Sequence, residues 1–275
     1  MNYQAVAFDL DGTLLNSQGQ ILAENKQAIA KLQQQGVKVL LVTGRHHTAV
    51  IPYYVELGLT TPIICCNGTY VYDVQNDKVL AANPLSQQQA QQIYDTATKH
   101  HCHLLMYSRN AMNYAELNPH MEKFLKWVAS CPENVRPLVK KVESIQDVID
   151  HDKPIWKCVI SAQNKDIMNQ VVAELPIEQF SCECSWVDRV DIANAGNTKG
   201  ARLLEVLNQW QIAPQQVIAF GDNHNDISML TAVGLGVAMG NAEDEVKHQA
   251  KLTTTSNDEA GIAEVLKVQF ANKNL

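Results

Sequence analysis

Two acidic clusters, separated by most of the chain, carry the strongest chemical signal. The first, Phe8-Asp9-Leu10-Asp11-Gly12-Thr13, follows an apolar run that begins at Ala5. Side chains alternate along a strand, so Asp9 and Asp11 leave it on the same side, and Gly12 permits the turn that lets both overhang its end. Carboxylates held that close repel unless a cation lies between them or one keeps a proton, and either condition suits phosphoryl chemistry. A strand ending in a polar turn gives the same letters, so this segment alone does not decide. An EF-hand loop fits less well, because Gln20 stands where the bidentate Glu is required.

The second cluster, Gly221-Asp222-Asn223-His224-Asn225-Asp226, follows the apolar run Val217 to Phe220. If both runs are strands of one parallel sheet, Asp222 and Asp9 reach the same edge, where open α/β folds bind ligands. Together they make a hard oxygen site of the kind magnesium accepts, with a backbone carbonyl, waters and a phosphate oxygen completing it. Alone, this segment reads equally as a turn capping the next helix. Two further pieces suit an anion. Thr43-Gly44, after the run Val37 to Val42, offers a hydroxyl and unhindered backbone N–H groups. Lys199 brings a positive charge to the first turn of a helix, whose N-terminus already favours anions.

The elements that must hold these residues alternate as β/α units at both ends of the chain. Strands are expected at Ala5 to Leu10, Val37 to Val42, Pro62 to Cys66, Val217 to Phe220 and Leu235 to Met239. Helices are expected at Glu24 to Gln35, His46 to Leu57, Glu243 to Ala250 and Ala260 to Val268. One more is capped by Asn197, and another starts at Asn225 to Leu230. Continuous apolar strands between helices imply a parallel sheet covered on both faces. From Arg45 to Lys199 the chain is far longer than the ~30 residues of a strand-helix-strand unit. Its middle has a different rhythm, with helices at Gln87 to Lys99, Met121 to Ala129 and Lys165 to Leu175 and strands at Leu104 to Tyr107 and Ile155 to Ile160. The expected architecture is an α/β protein: a Rossmann-like parallel-sheet core, residues 1–83 plus 189–275, with an inserted α/β cap domain, residues 84–188.

Composition narrows the classes. With 275 residues and 46% apolar content a substantial core can form, and a net charge of -7 argues against binding a nucleic-acid backbone. No apolar run approaches the roughly 20 residues of a membrane span, and a cytoplasmic location is expected. Seven cysteines without a CxxC pair fit small buried residues better than a zinc site or a disulfide framework. His46, His47, His100, His101 and His103 lack an acid or Cys partner at useful spacing and are assigned core or solvated roles. The spacing after Gly234-Leu235-Gly236 fails the dinucleotide fingerprint.

Taken in order, DLDGT, VTGR, Lys199 and GDNHND resemble the four motifs of the haloacid dehalogenase superfamily, and an insertion between Thr43 and Lys199 is similar to the Cof-type branch. The resemblance implies a magnesium-dependent phosphomonoester hydrolase. Matched position by position, Asp9 is the nucleophile that becomes phosphoaspartate, and Asp11 is the general acid and base. Asp9, Asp222 and the backbone carbonyl of Asp11 hold magnesium, and Asp226 orients that shell. Thr43, Gly44, Lys199, Asn225 and the N–H of Leu10 grip the phosphoryl oxygens. Arg45 and Asn67 are candidates for substrate contact or for the hinge. The implied partner is a small phosphorylated metabolite, pyridoxal 5'-phosphate before hexose phosphates, with Tyr107, Tyr114 and Trp186 of the cap as candidates to pack against a ring. A phosphomutase is the rival use of the same motifs.

Overall fold

The computed structural model describes residues 3–186 and 188–271. Its strands in chain order are β1 (Ala5–Phe8), β2 (Lys38–Leu41), β3 (Ile63–Cys65), β4 (Tyr70–Asp73), β5 (Lys78–Ala82), β6 (His103–Tyr107), β7 (Met112–Tyr114), β8 (Val139–Lys141), β9 (Lys157–Ser161), β10 (Phe180–Trp186), β11 (Arg189–Asn194), β12 (Val217–Gly221), β13 (Leu235–Ala238) and β14 (Leu252–Thr253). The chain divides into two compact units, residues 1–44, 54–80 and 198–275 in one and residues 45–53 and 81–197 in the other.

The first unit is built on a five-stranded sheet in the order β14-β13-β12-β1-β2, with every pairing parallel. Burial on both faces explains why β1 reads Ala-Val-Ala-Phe without a polar position, and all four residues are buried. Phe8 stands opposite Phe220 on one side and Leu41 on the other, and the two phenyl rings stack with centroids 5.2 Å apart. This register brings the three strands to their carboxyl ends together. β3, β4 and β5 form a second sheet, and a parallel bridge between Val42 and Ile64 joins β2 to β3.

Three local expectations are corrected. The stretch His46 to Leu57 is not one helix: a 3-10 turn at His47–Ala49 precedes a helix at Ile51–Glu56. Pro52 sits in the first turn of that helix, where a missing N–H costs nothing. The cap of the helix Lys199–Gln209 is Thr198, whose Oγ1 accepts from the Ala201 N–H at 3.1 Å. Asn197 instead donates to the Asn83 carbonyl at 2.9 Å and accepts from the Asn83 amide. After β12 the chain makes a 3-10 turn, His224–Asp226, before the helix Ile227–Ala232 begins.

The second unit has a six-stranded sheet in the order β10-β11-β9-β6-β7-β8. β11, placed with the core in the sequence reading, pairs here with β9 and β10. The helices Gln87–Lys99, Ile145–His151 and Lys165–Ala173 bury Ile93, Ile149, Val171 and neighbours against Met106, Cys158, Ile160 and Ile192 of the sheet, giving this unit a hydrophobic core of its own. No helix among the described residues is long and apolar enough to cross a membrane.

Candidate active site

β1 hands its direction to Asp9, whose N–H donates to the Phe220 carbonyl at 3.1 Å, so the first residue past β1 remains stitched to β12. β12 ends at Gly221, and Asp222 leaves the sheet beside Asp9. Gly12, at φ +79°, lets the loop after β1 pass over Asp222: a Cβ there would stand 2.3 Å from Asp222 Oδ2. The loop is tied down by Asn241, whose amide donates to the Gly12 carbonyl at 2.9 Å.

Asp9, Asp222 and Asp226 each offer a carboxylate oxygen, all within 4.8 Å of one another. Lys199 Nζ donates to Asp9 Oδ1 and to Asp226 Oδ1, both at 2.7 Å, and the lysine is 1% exposed. The other oxygen of Asp226 accepts from the N–H groups of Asp222 and Asn223 at 2.9 and 3.1 Å. Both Asp226 oxygens are therefore engaged, and this residue positions Lys199 and the loop. Asp222 Oδ1 accepts from the Thr13 hydroxyl at 2.6 Å. Asp9 and Asp222 thus each keep a second oxygen for a ligand, which fits a hard cation better than a further protein contact does.

The electrostatics point the same way. One ammonium faces three carboxylates, with Asp11 nearby and exposed. Burial pushes the Asp9 carboxyl well above the usual carboxylate range; Lys199 pulls it down, while Asp226, Asp222 and Asp11 push it further up. Burial, then Asp226, moves Asp222 up to about 7, against the opposing hydrogen bond from Thr13 and the charge of Lys199. Burial alone would lower the Lys199 pKa, but Asp226 and Asp9 outweigh it and raise it, so the ammonium stays charged. The excess negative charge is what a bound divalent cation would neutralise.

Thr43 and Asn67 are buried in the same unit, and the Thr43 N–H donates to the Ile64 carbonyl at 2.9 Å. The Asn225 amide donates to Asn67 Oδ1 at 3.2 Å. Leu10 is wholly buried at the start of the loop after β1. Arg45 belongs to the second unit: its guanidinium lies over the rings of Tyr53 and Trp127, 5.2 and 5.0 Å from their centroids, and donates to the Ala49 carbonyl. Tyr107 and Tyr114 are buried in the second unit's sheet, and the Trp186 side chain lies outside the described residues. His46 is buried with its ring on the Ser108 carbonyl, and burial, then His47, lowers its pKa, so it stays neutral. Sequence reasoning gave no role to Thr13 or Asn241. Thr13 closes the first motif, and Gly240-Asn241 follows β13 as the other motifs follow β1 and β12.

Carboxylates and a buried lysine gathered at the carboxyl edge of a parallel sheet define a phosphoryl-transfer hydrolase. The chain belongs to the haloacid dehalogenase-like hydrolases, whose family model matches residues 6–266, and it is a phosphatase of that family. It is 40% identical over 270 residues to the pyridoxal phosphate phosphatase YbhA of Escherichia coli, covering 97% of this chain and 98% of that one. It is 29% identical to the 5-amino-6-(5-phospho-D-ribitylamino)uracil phosphatase YcsE of Bacillus subtilis, over 97% and 96% of the two chains. A crystal structure of a haloacid dehalogenase-like hydrolase from Bacteroides thetaiotaomicron superposes with a TM-score of 0.85 at 28% identity, covering 98% of this chain and all of the other.

Proposed function

We propose that this phosphatase hydrolyses small phosphomonoesters through a phosphoaspartate on Asp9, with magnesium at the carboxylate cluster and pyridoxal 5'-phosphate as the preferred substrate. The observation that carries the reading is the cluster itself: Lys199 bridges Asp9 and Asp226 while Asp9 and Asp222 each keep an oxygen for a cation. Magnesium, held by Asp9, Asp222 and the carbonyl of Asp11, would neutralise charge on the phosphoryl group.

In this reading an Asp9 oxygen attacks phosphorus in line, and the ester oxygen departs with a proton from Asp11. Asp11 then takes a proton from a water that attacks the phosphoaspartate, which frees inorganic phosphate and restores Asp9. The exposure of Asp11 suits a group that must exchange protons twice per turnover. Lys199, Thr43, Gly44, Asn225 and the N–H of Leu10 hold the equatorial oxygens, and Lys199 keeps its charge because two carboxylates face it. Selection of the leaving group falls to the second unit, acting as the cap. Pyridoxal 5'-phosphate is favoured because the relative named for that substrate is 40% identical over nearly the whole chain. A cytoplasmic location accords with the six cysteines that form no disulfide among the described residues.

Phosphate release measured with magnesium on pyridoxal 5'-phosphate, glucose 6-phosphate, fructose 1-phosphate and flavin mononucleotide tests the substrate. The expected result is the highest kcat/KM on pyridoxal 5'-phosphate. A sugar phosphate preferred by about tenfold, or about 1.4 kcal/mol in transition-state binding, overturns that choice and leaves the phosphatase. Asp9→Asn should abolish turnover with the fold intact, and a residual rate above a few per cent of wild type would rule out the covalent route.

A further inference from the structure

Beside the Thr43-Gly44 turn sits a buried carboxamide that the carboxylate cluster does not use. Asn67 is 5% exposed and adopts φ 56° and ψ 36°, between Cys66 at φ 51° and Gly68 at φ 91°. Three successive left-handed residues make a tight reversal at the end of β3, and Asn tolerates that conformation better than most side chains. The reversal is pinned by the Asn67 N–H, which donates to the Thr43 carbonyl at 3.0 Å. It also brings Asn67 Oδ1 against Gly44, where a Cβ would stand 2.9 Å from it. The carboxamide therefore seats only because residue 44 has no side chain.

The polar accounting of this group is incomplete. Asn67 Oδ1 accepts from Asn225 Nδ2, but Asn67 Nδ2 makes no hydrogen bond among the described residues. Asn225 Oδ1 is also buried without a partner. Turning both amides over together preserves the bond between them, with Asn67 now donating to Asn225, and frees Asn225 Nδ2 instead. In either arrangement the linked pair keeps one NH2 group in hand. The unpaired amide atom of Asn225 is wholly buried, and such groups in native proteins are satisfied by a partner or a ligand. The ligand must accept hydrogen bonds and reach the strand end where Thr43 and Gly44 lie.

We propose that Asn67 and Asn225 work as a linked carboxamide clamp on one oxygen of the substrate's phosphoryl group, with Asn67 both anchoring Asn225 and contributing a donor. The proposal rests on the phosphatase reading and adds a phosphate-binding residue to it. It also gives a reason for the left-handed backbone at Asn67, which turns the side chain back toward the Thr43-Gly44 turn.

The test is the affinity for inorganic phosphate, the reaction product, measured with magnesium by competitive inhibition and by calorimetry. Asn67→Asp keeps the left-handed backbone and the oxygen that accepts from Asn225, but removes the NH2 donor and sets a negative charge against an anion. It should weaken phosphate about tenfold or more and raise KM, with melting temperature and magnesium affinity near wild type. Asn67→Gly keeps the backbone and removes the amide, and should weaken phosphate about threefold or more. A residue that only shapes the turn would leave phosphate affinity unmoved in both. Phosphate affinity within twofold of wild type in the Asp variant overturns the clamp; if that variant does not fold, the same result in the Gly variant overturns it. A wild-type protein inert on every phosphomonoester would instead overturn the phosphatase reading.

Discussion

Thr13 and Asp222, 209 residues apart in the chain, share a 2.6 Å hydrogen bond in which the hydroxyl donates to the carboxylate. The bond fixes the rotamer of Asp222 and holds down its pKa against burial. Groups that orient metal ligands typically matter 10–100-fold for metal affinity or activity. Thr13→Val, which keeps the shape and removes the hydroxyl, is expected to raise the magnesium concentration for half-maximal activity about tenfold or more, and Thr13→Ser to restore it. Equal magnesium curves for Val and wild type would show that Asp222 needs no such support.

Lys199 is the only cation hydrogen-bonded to Asp9 and Asp226 among the described residues, and all three are buried. Removing one partner of a buried ion pair leaves an uncompensated charge and typically costs about 3–5 kcal/mol. Lys199→Met should lose both turnover and stability on that scale in denaturant unfolding of the metal-free protein. Part of the stability should return on acidification, as Asp9, whose carboxyl is raised well above the usual range, takes up a proton. A variant as stable as wild type at neutral pH would mean that Lys199 compensates no buried charge there.

Asp222 also sets a pH dependence, because its folded pKa of about 7 lies above an ordinary carboxylate value and that of Asp9 is raised as well. For a raised group the stabilising contribution is complete below the unfolded pKa and is lost as pH rises through the folded one. The metal-free protein should therefore lose stability from these groups as pH climbs through about 7. In the proposed reading magnesium binds the ionised carboxylates, and it should raise the melting temperature by more near pH 8 than near pH 5. A magnesium-induced shift independent of pH across that interval would remove Asp9 and Asp222 as its ligands.

The strands that carry chemistry were legible because β1 and β12 are buried throughout and β2 is buried after its first residue, Lys38, so their apolar runs stop only where a carboxylate or Thr-Gly begins. What spacing could not show were relations made by distant chain segments. Arg45 follows Thr43-Gly44 in sequence, yet its guanidinium settles on Trp127, a neighbour that no local pattern announces. Asn197 and Thr198 both have capping side chains, and only the folded geometry, with Thr198 extended and its hydroxyl on the Ala201 N–H, decides between them. β7 and β8 are three residues each, too short for alternation to register. The role of Asn67 depends on Asn225 from the far end of the chain.

The strand that bears Asp9 lies between β2 and β12, with Ala5 facing Val217. One of those neighbours follows within a few dozen residues of synthesis, and the other comes near the end. At about 5–20 residues per second the ribosome needs roughly 10–40 s to reach Val217 after making β1. During that interval a wholly apolar strand has one hydrogen-bonding edge with no native partner, and Asp9, which follows it, has not met Lys199. The second unit, encoded between, can complete its own core meanwhile. Competence for catalysis therefore comes late, all at once, with the insertion of β12, and a chain stalled before Val217 should expose β1 to chaperones or to aggregation.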